Sequence, residues 1–370
     1  MLELKKDALV FKFPEVHEDA ELTIEFQRTF RIPDDGKTYP LPPGFGKFPT
    51  KHVDDFKERV PAKWIEHGGV MLPMYQAEAM WLNFSAKSVR YRDGINNYPF
   101  AVRVAAGKVN AVNGEEWTKL MREDDHMVVP PQPWLDGFCV EKGKIRQFVA
   151  MPLGWGLTVE QQVTGEEEFG GLQIEVCPMR AEEFERRYPK RQPPPPSHGI
   201  LRSMSLGDTK GGGASYAAMP AAASMDFMEM EMSRGISPDM GLGAGGQMKQ
   251  EIYDDPYPMD VWHKARRART FIHLANSFAW EVITGHKPPA TPCTAEAYAA
   301  KGLPWYDHYV EAMPISEGGK NLKNIKSVLA LGFQKGLGIF PNNASVEVPE
   351  EKIVKYKGER PKDAVRDGSW

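Results

Sequence analysis

A chain of 370 residues is long enough for one large domain or two ordinary ones. Its 41% hydrophobic and 26% charged residues match a globular protein with a sizeable core. The net charge of −4 supplies no basic excess to attract phosphates, which argues against a general nucleic-acid or anionic-membrane binder.

The first 180 residues read mainly as strands. In ELTIEFQRTFRI (21–32), Leu22, Ile24, Phe26, Phe30 and Ile32 alternate with polar neighbours, the period of a strand with one buried face. Arg28 is the one polar residue on that apolar side, and PDDG (33–36) ends the strand as a turn. HVDDFKERVPAKWIEHGG (52–69) predicts a short helix interrupted at Pro61 and stopped by Gly68 and Gly69. In LPMYQAEAMWLNF (72–84), alanine, glutamate and methionine favour a helix over a strand. Strands resume at residues 100–105 and, after a turn at Gly107, at 109–111. Residues 138–141 and 145–151 form a hairpin around Gly143, and GGLQIEVCPM (170–179) adds one more strand.

From about Arg180 to Met240 the composition changes, with PPPP at 193–196, GGG at 211–213 and few β-branched residues. Such a stretch buries too little apolar area to offset the entropy of ordering, so it reads as a flexible insert. Regular structure returns with a strand at QMKQEIYDDP (247–256) and another at RTFIHLA (269–275). Helices follow at 276–285, capped by Asn276, at 294–302, capped by Thr294, and at 321–336. ASVEVPEEKIVKY (344–356) closes with strand-like alternation. The expected fold class is α+β: β-rich, with antiparallel, sandwich-like sheets, several short helices and one long low-complexity insert. Three parts follow: residues 1–180, the insert 181–240, and 241–370, with the outer two packed as one unit.

The motifs yield little chemistry. GLGAGG (241–246) places Gly241, Gly243 and Gly246 as G-x-G-x-x-G. A dinucleotide site needs a strand before those glycines, a helix after them and an acidic residue about 20 positions on. Here SRGISPDM precedes, a strand pattern follows, and the distal stretch is the basic WHKARRAR. A glycine hinge into a strand is expected, with no cofactor. Asp124-Asp125-His126 and Asp307-His308 lack ligand spacing and read as exposed loop or edge positions, with no metal. The acidic runs Asp54-Asp55, Asp254-Asp255 and Glu166-Glu167-Glu168 read as solvated turns and helix starts. Cys139, Cys177 and Cys293 are too far apart for a metal ribbon and read as three small, buried, reduced thiols. No stretch of about 18 apolar residues appears, and the N-terminus MLELKKDALVFKF shows no leader, so a cytoplasmic location is expected.

Three groups are candidates for interaction. Trp134 in PPQPWLDGF (130–138) suits an aromatic platform. Met225, Met228, Met230 and Met232 suit an adaptable docking arm, and Lys264, Arg266, Arg267 and Arg269 an acidic partner surface. The expected function is a non-catalytic soluble binding or assembly protein that meets a protein partner or copies of itself. The alternative is a hydrolase-type enzyme whose dispersed carboxylates and tryptophans converge in a cleft. No catalytic residue is identifiable.

Four blocks stand out together: TFRIPDDGKTYPLPPGFGKFP (29–49), MPLGWGLTVEQQVTGEEEFGGLQIEVCPM (151–179), GGQMKQEIYDDP (245–256) and GLPWYDHY (302–309). As a set the chain resembles a family of uncharacterised bacterial hypothetical proteins. The resemblance spans most of the chain outside the insert. It implies only that the two flanks are one evolved unit, and it brings no fold, activity or site residue.

Overall fold

A computed structural model describes residues 1–91, 94–189, 239–310, 313–337 and 343–357. The fold is β-rich, built on one large, mainly antiparallel sheet with short helices around it. The main path of the sheet runs Leu2–Lys5, Ala8–Lys12, Glu21–Thr29, Ala79–Ala86, Lys144–Pro152, Asp239–Lys249, Ala268–Asn276, Leu172–Pro178, Phe100–Ala106, Val109–Asn110. Strands from both sides of residues 190–238 therefore hydrogen-bond within one sheet. Parallel pairing occurs where Val70–Met74 joins Ala268–Asn276 and where Thr38–Tyr39 joins Asp239–Lys249. The central strands Phe100–Ala106 and Leu172–Pro178 are buried on both faces. Among the described residues, no helix is long and apolar enough to cross a membrane.

Local rules explain most elements. Glu21–Thr29 alternates intermediate and buried positions, as its pattern requires. The hairpin of Gly137–Glu141 and Lys144–Pro152 turns through Gly143 at φ 71°. Asn276, Thr294 and Ser327 each accept a backbone N–H as helix caps.

Several expectations are overturned. Residues 72–84 are not a helix but parts of two strands, Val70–Met74 and Ala79–Ala86. Of the residues that favour a helix, Ala77 and Glu78 fall in the turn between them, where Ala77 adopts φ 60°, while Met74, Ala79 and Met80 lie in the strands. Pairing of Ala79–Ala86 with the whole of Glu21–Thr29 then overrides propensity. The helix expected over 321–336 shrinks to Val328–Gln334. The helix expected from residue 52 is a 3-10 turn at Val53–Phe56 followed by a separate helix, Ala62–His67. Residues assigned to the insert take regular structure at both of its ends, with a helix at Ala181–Arg187 and a strand beginning at Asp239.

GLGAGG is no hinge. It lies inside the eleven-residue strand Asp239–Lys249. A Cβ on Gly243 would stand 2.3 Å from Val328 Cγ1 and 2.7 Å from Leu157 O, and one on Gly246 would stand 2.4 Å from Pro33 O. The glycines let a covering loop and helix close onto the strand, a packing reason for small residues.

Candidate functional site

The Ala79–Ala86 strand runs out into a cleft. One edge pairs along its whole length, from Leu22 opposite Ala86 to Thr29 opposite Ala79. Lys87 N–H donates to Glu21 O at 2.9 Å, which fixes the alternation of the ladder. Leu82, Phe84 and Ala86 thus turn their main-chain groups to the other side, and Phe84 N–H donates there to Pro133 O at 2.8 Å. Pro133 has no N–H to return that bond, so the ladder stops. Beyond the stop lies a cleft of about 340 Å³ lined by residues 84–86, Ser88, Asn97 and residues 129–133. Its far wall holds Pro130, Pro131 and Pro133, none of which can donate from the main chain, and Gln132 N–H is taken by Val128 O at 2.9 Å. No carboxylate lines this cleft.

A hydrogen-bonded network fixes the proline wall from behind. Gln132 Nε2 donates to Trp134 O at 3.0 Å and Glu251 O at 3.2 Å, and its Oε1 accepts Tyr253 N–H at 3.1 Å. Gln250 accepts Asp136 N–H at 3.0 Å and donates to Asp136 Oδ2 at 2.9 Å. Asp136 is 3% exposed. Burial pushes its carboxyl up to about 7, against the downward pull of the Gln250 hydrogen bond.

Trp134 is half-buried at the end of this wall. Its ring meets Trp81 at 6.3 Å and His308 at 4.9 Å, both edge-on. Trp262, Trp280 and Trp305 are core residues.

A second polar cluster was not expected. Asp125 and His126 are buried, not exposed, and Asp255 belongs to the same network instead of a solvated turn. Arg103, 1% exposed, sits 2.8 Å from Asp125 Oδ2 and 3.0 Å from Glu175 Oε1, with its guanidinium over the Trp117 ring at 4.2 Å. The Arg103–Asp125 contact is one of charge, because neither Asp125 oxygen has an aligned hydrogen bond. His126 Nε2 lies 2.8 Å from Asp255 Oδ2, and Nδ1 lies 2.9 Å from Arg122 O and 3.6 Å from Asp125 Oδ1. Burial works against the charged imidazole, yet Asp125 and Asp255 outweigh it and raise its pKa to about 9.

A third buried charge pair joins Arg28 to Glu78, with Nη2 2.9 Å from Oε1 and the guanidinium 5.6 Å from the centre of the Phe48 ring. Burial lifts Glu78 to about 6 in spite of Arg28.

The remaining candidates are less concentrated. Lys264, Arg266, Arg267 and Arg269 are all exposed. Arg267 folds back to donate to Lys119 O at 2.7 Å and lies 3.5 Å from Glu175, while Arg269 covers Phe271. Met225, Met228, Met230 and Met232 lie outside the described residues. Cys139 and Cys177 are buried, with burial pushing both thiols up to about 12, and Cys293 is half-buried. Among the described residues, no group of three or more His, Cys, Asp or Glu side chains is placed to hold a metal ion.

Fold and site together define a β-rich protein with a proline-walled cleft at an interrupted strand edge. No family model, curated protein or solved structure matches the chain.

Proposed function

We propose that this is a non-catalytic binding protein that takes an extended segment of a protein partner into the cleft beside Phe84–Ala86. The observation that carries the reading is the interrupted ladder. Phe84 C=O and the main-chain groups of Ala86 face a cleft whose proline wall supplies no N–H in return. An extended main chain is the ligand that such an edge accepts, by strand addition. The rest of the lining is neutral, with Ser85, Ser88, Asn97 and Gln132 among apolar groups. Recognition therefore rests on main-chain hydrogen bonds and shape, and salt affects it little.

A random twelve-residue peptide library, selected on the full chain, tests this. Ser85 is exposed and lines the cleft, so Ser85→Arg fills the mouth without disturbing the core. Selected peptides should lose at least about tenfold in affinity on the variant, about 1.4 kcal/mol. Peptides that bind both proteins equally, or no selection above background, would overturn the proposal.

A further inference from the structure

The His126 cluster points to a conformational device. Both ring nitrogens face groups that only accept: Nδ1 meets the carbonyl oxygen of Arg122 and Nε2 meets a carboxylate oxygen of Asp255. A neutral imidazole carries one N–H and can satisfy only one of them. Both Asp255 oxygens already accept, Oδ1 from Tyr257 N–H at 2.8 Å and Oδ2 from Trp262 Nε1–H at 2.7 Å, so the group meets His126 as an acceptor and not as a donor. Donor and acceptor counting thus satisfies the closed arrangement only with an imidazolium against a carboxylate.

This pair closes a strap. Residues 253–263 return from the Asp239–Lys249 strand towards Ala268–Asn276. Their hold on the sheet side includes Val261 O accepting Arg180 N–H at 2.8 Å and His263 N–H donating to Pro178 O at 2.9 Å. The strap also carries Tyr257, whose ring lies under the Arg187 guanidinium at 4.9 Å and whose hydroxyl lies 3.3 Å from that of Tyr188. It therefore braces the helix Ala181–Arg187.

We propose that His126 is a proton-dependent clamp, holding residues 253–263 on the sheet while doubly protonated and releasing them when neutral. The charged groups that face it are Asp125 on its own segment and Asp255 on the strap. Behind Asp125 stand Arg103 and Glu175 from the sheet, with Arg267 on Glu175. Arg103 is thus shared between Asp125 and Glu175, and His126 is the group that joins this cluster to the strap. Release leaves the sheet intact, because the ladder between Phe100–Ala106 and Leu172–Pro178 does not pass through the strap.

Hydrogen–deuterium exchange on the full chain tests the clamp, with each rate corrected for the intrinsic effect of pH. Protection of residues 253–263 should fall roughly 50- to 100-fold between pH 7 and pH 10.5, the linkage expected for a group that titrates near 9 when closed and at its ordinary value when open. Protection of Leu172–Pro178 should stay constant. In His126→Gln the strap should exchange fast at every pH, with the sheet still protected. If strap and sheet lose protection together, if the strap profile is flat in the native protein, or if His126→Gln follows the native profile, the clamp is refuted. Should His126→Gln fail to fold, the native profile of strap against sheet decides alone.

Discussion

Replacing Asp136 by asparagine isolates one buried carboxyl whose folding linkage runs opposite to that of a salt-bridged acid. Its ordinary pKa of 3.8 rises to about 7 through burial, opposed only by the hydrogen bond from Gln250. The folded state therefore holds this proton more tightly than the unfolded chain does. Stability from Asp136 is complete below its unfolded pKa and is lost as pH rises through the folded one, between about pH 4 and pH 7. A shift of about 3 units corresponds to about 4 kcal/mol at 1.36 kcal/mol per unit, an upper bound on what ionisation costs above neutrality. Asparagine keeps the shape and the acceptor for Gln250 Nε2 and cannot ionise. In urea denaturation followed by circular dichroism, Asp136→Asn should match the native protein within about 1 kcal/mol at pH 4.5. It should be the more stable protein at pH 8, by up to the linkage energy above. Glu78 titrates in both proteins and cancels in the difference. A variant less stable than the native protein at pH 8, or a difference that does not change with pH, would refute the reasoning.

Other substitutions test separate contacts. Arg28→Met leaves Glu78 buried without its cation and should cost about 3–5 kcal/mol, whereas the double variant Arg28→Met/Glu78→Leu should recover much of that loss. The comparison is a double-mutant cycle in thermal and urea unfolding, and additive losses would show that the pair is not coupled. Gly246→Ala drives a methyl to 2.4 Å from Pro33 O and 2.9 Å from Ile32 O, both backbone atoms that cannot move alone. It should destabilise by about 3 kcal/mol, read as a lower melting temperature, and an unchanged temperature would mean that the strand is not held against residues 32 and 33.

How far the sequence predicts this fold depends on where the information lies. Glu21–Thr29 and the hairpin around Gly143 are readable because a period of two and a glycine turn are local signals. The misread strand Ala79–Ala86 also carries that period, with Met80, Leu82 and Phe84 inward. Its flanking alanine and glutamate mask the signal, since their helix preference is satisfied nowhere and is overruled by eight paired positions on a strand some 60 residues away. The glycine strand fails for a related reason. What demands glycine at 243 is the approach of Val328 and Leu157, and at 246 the main chain of residues 32 and 33. None of these neighbours lies close in sequence, so a composition that looks like a hinge is in fact a packing surface.

The polar clusters follow one rule that the sequence contains in half. A charged side chain inside a buried strand needs a partner of opposite charge, because an unpaired ion in the interior costs more than folding can supply. Arg28 announces itself as the one polar residue on the apolar side of its strand, and it does find Glu78, 50 positions on. Arg103 gives no such sign, because alternation assigns it to the exposed face. Only a second layer, with Trp117, Thr118 and Asp125 against Arg103, buries that face as well. His126 and Asp255 are 129 positions apart, and nothing in either local stretch selects the other. The cation requires a carboxylate, but which one arrives is decided by the order of strands in the sheet. The same order brings the proline loop to the open edge of Ala79–Ala86, where Pro133 ends the ladder and leaves a cleft instead of another strand.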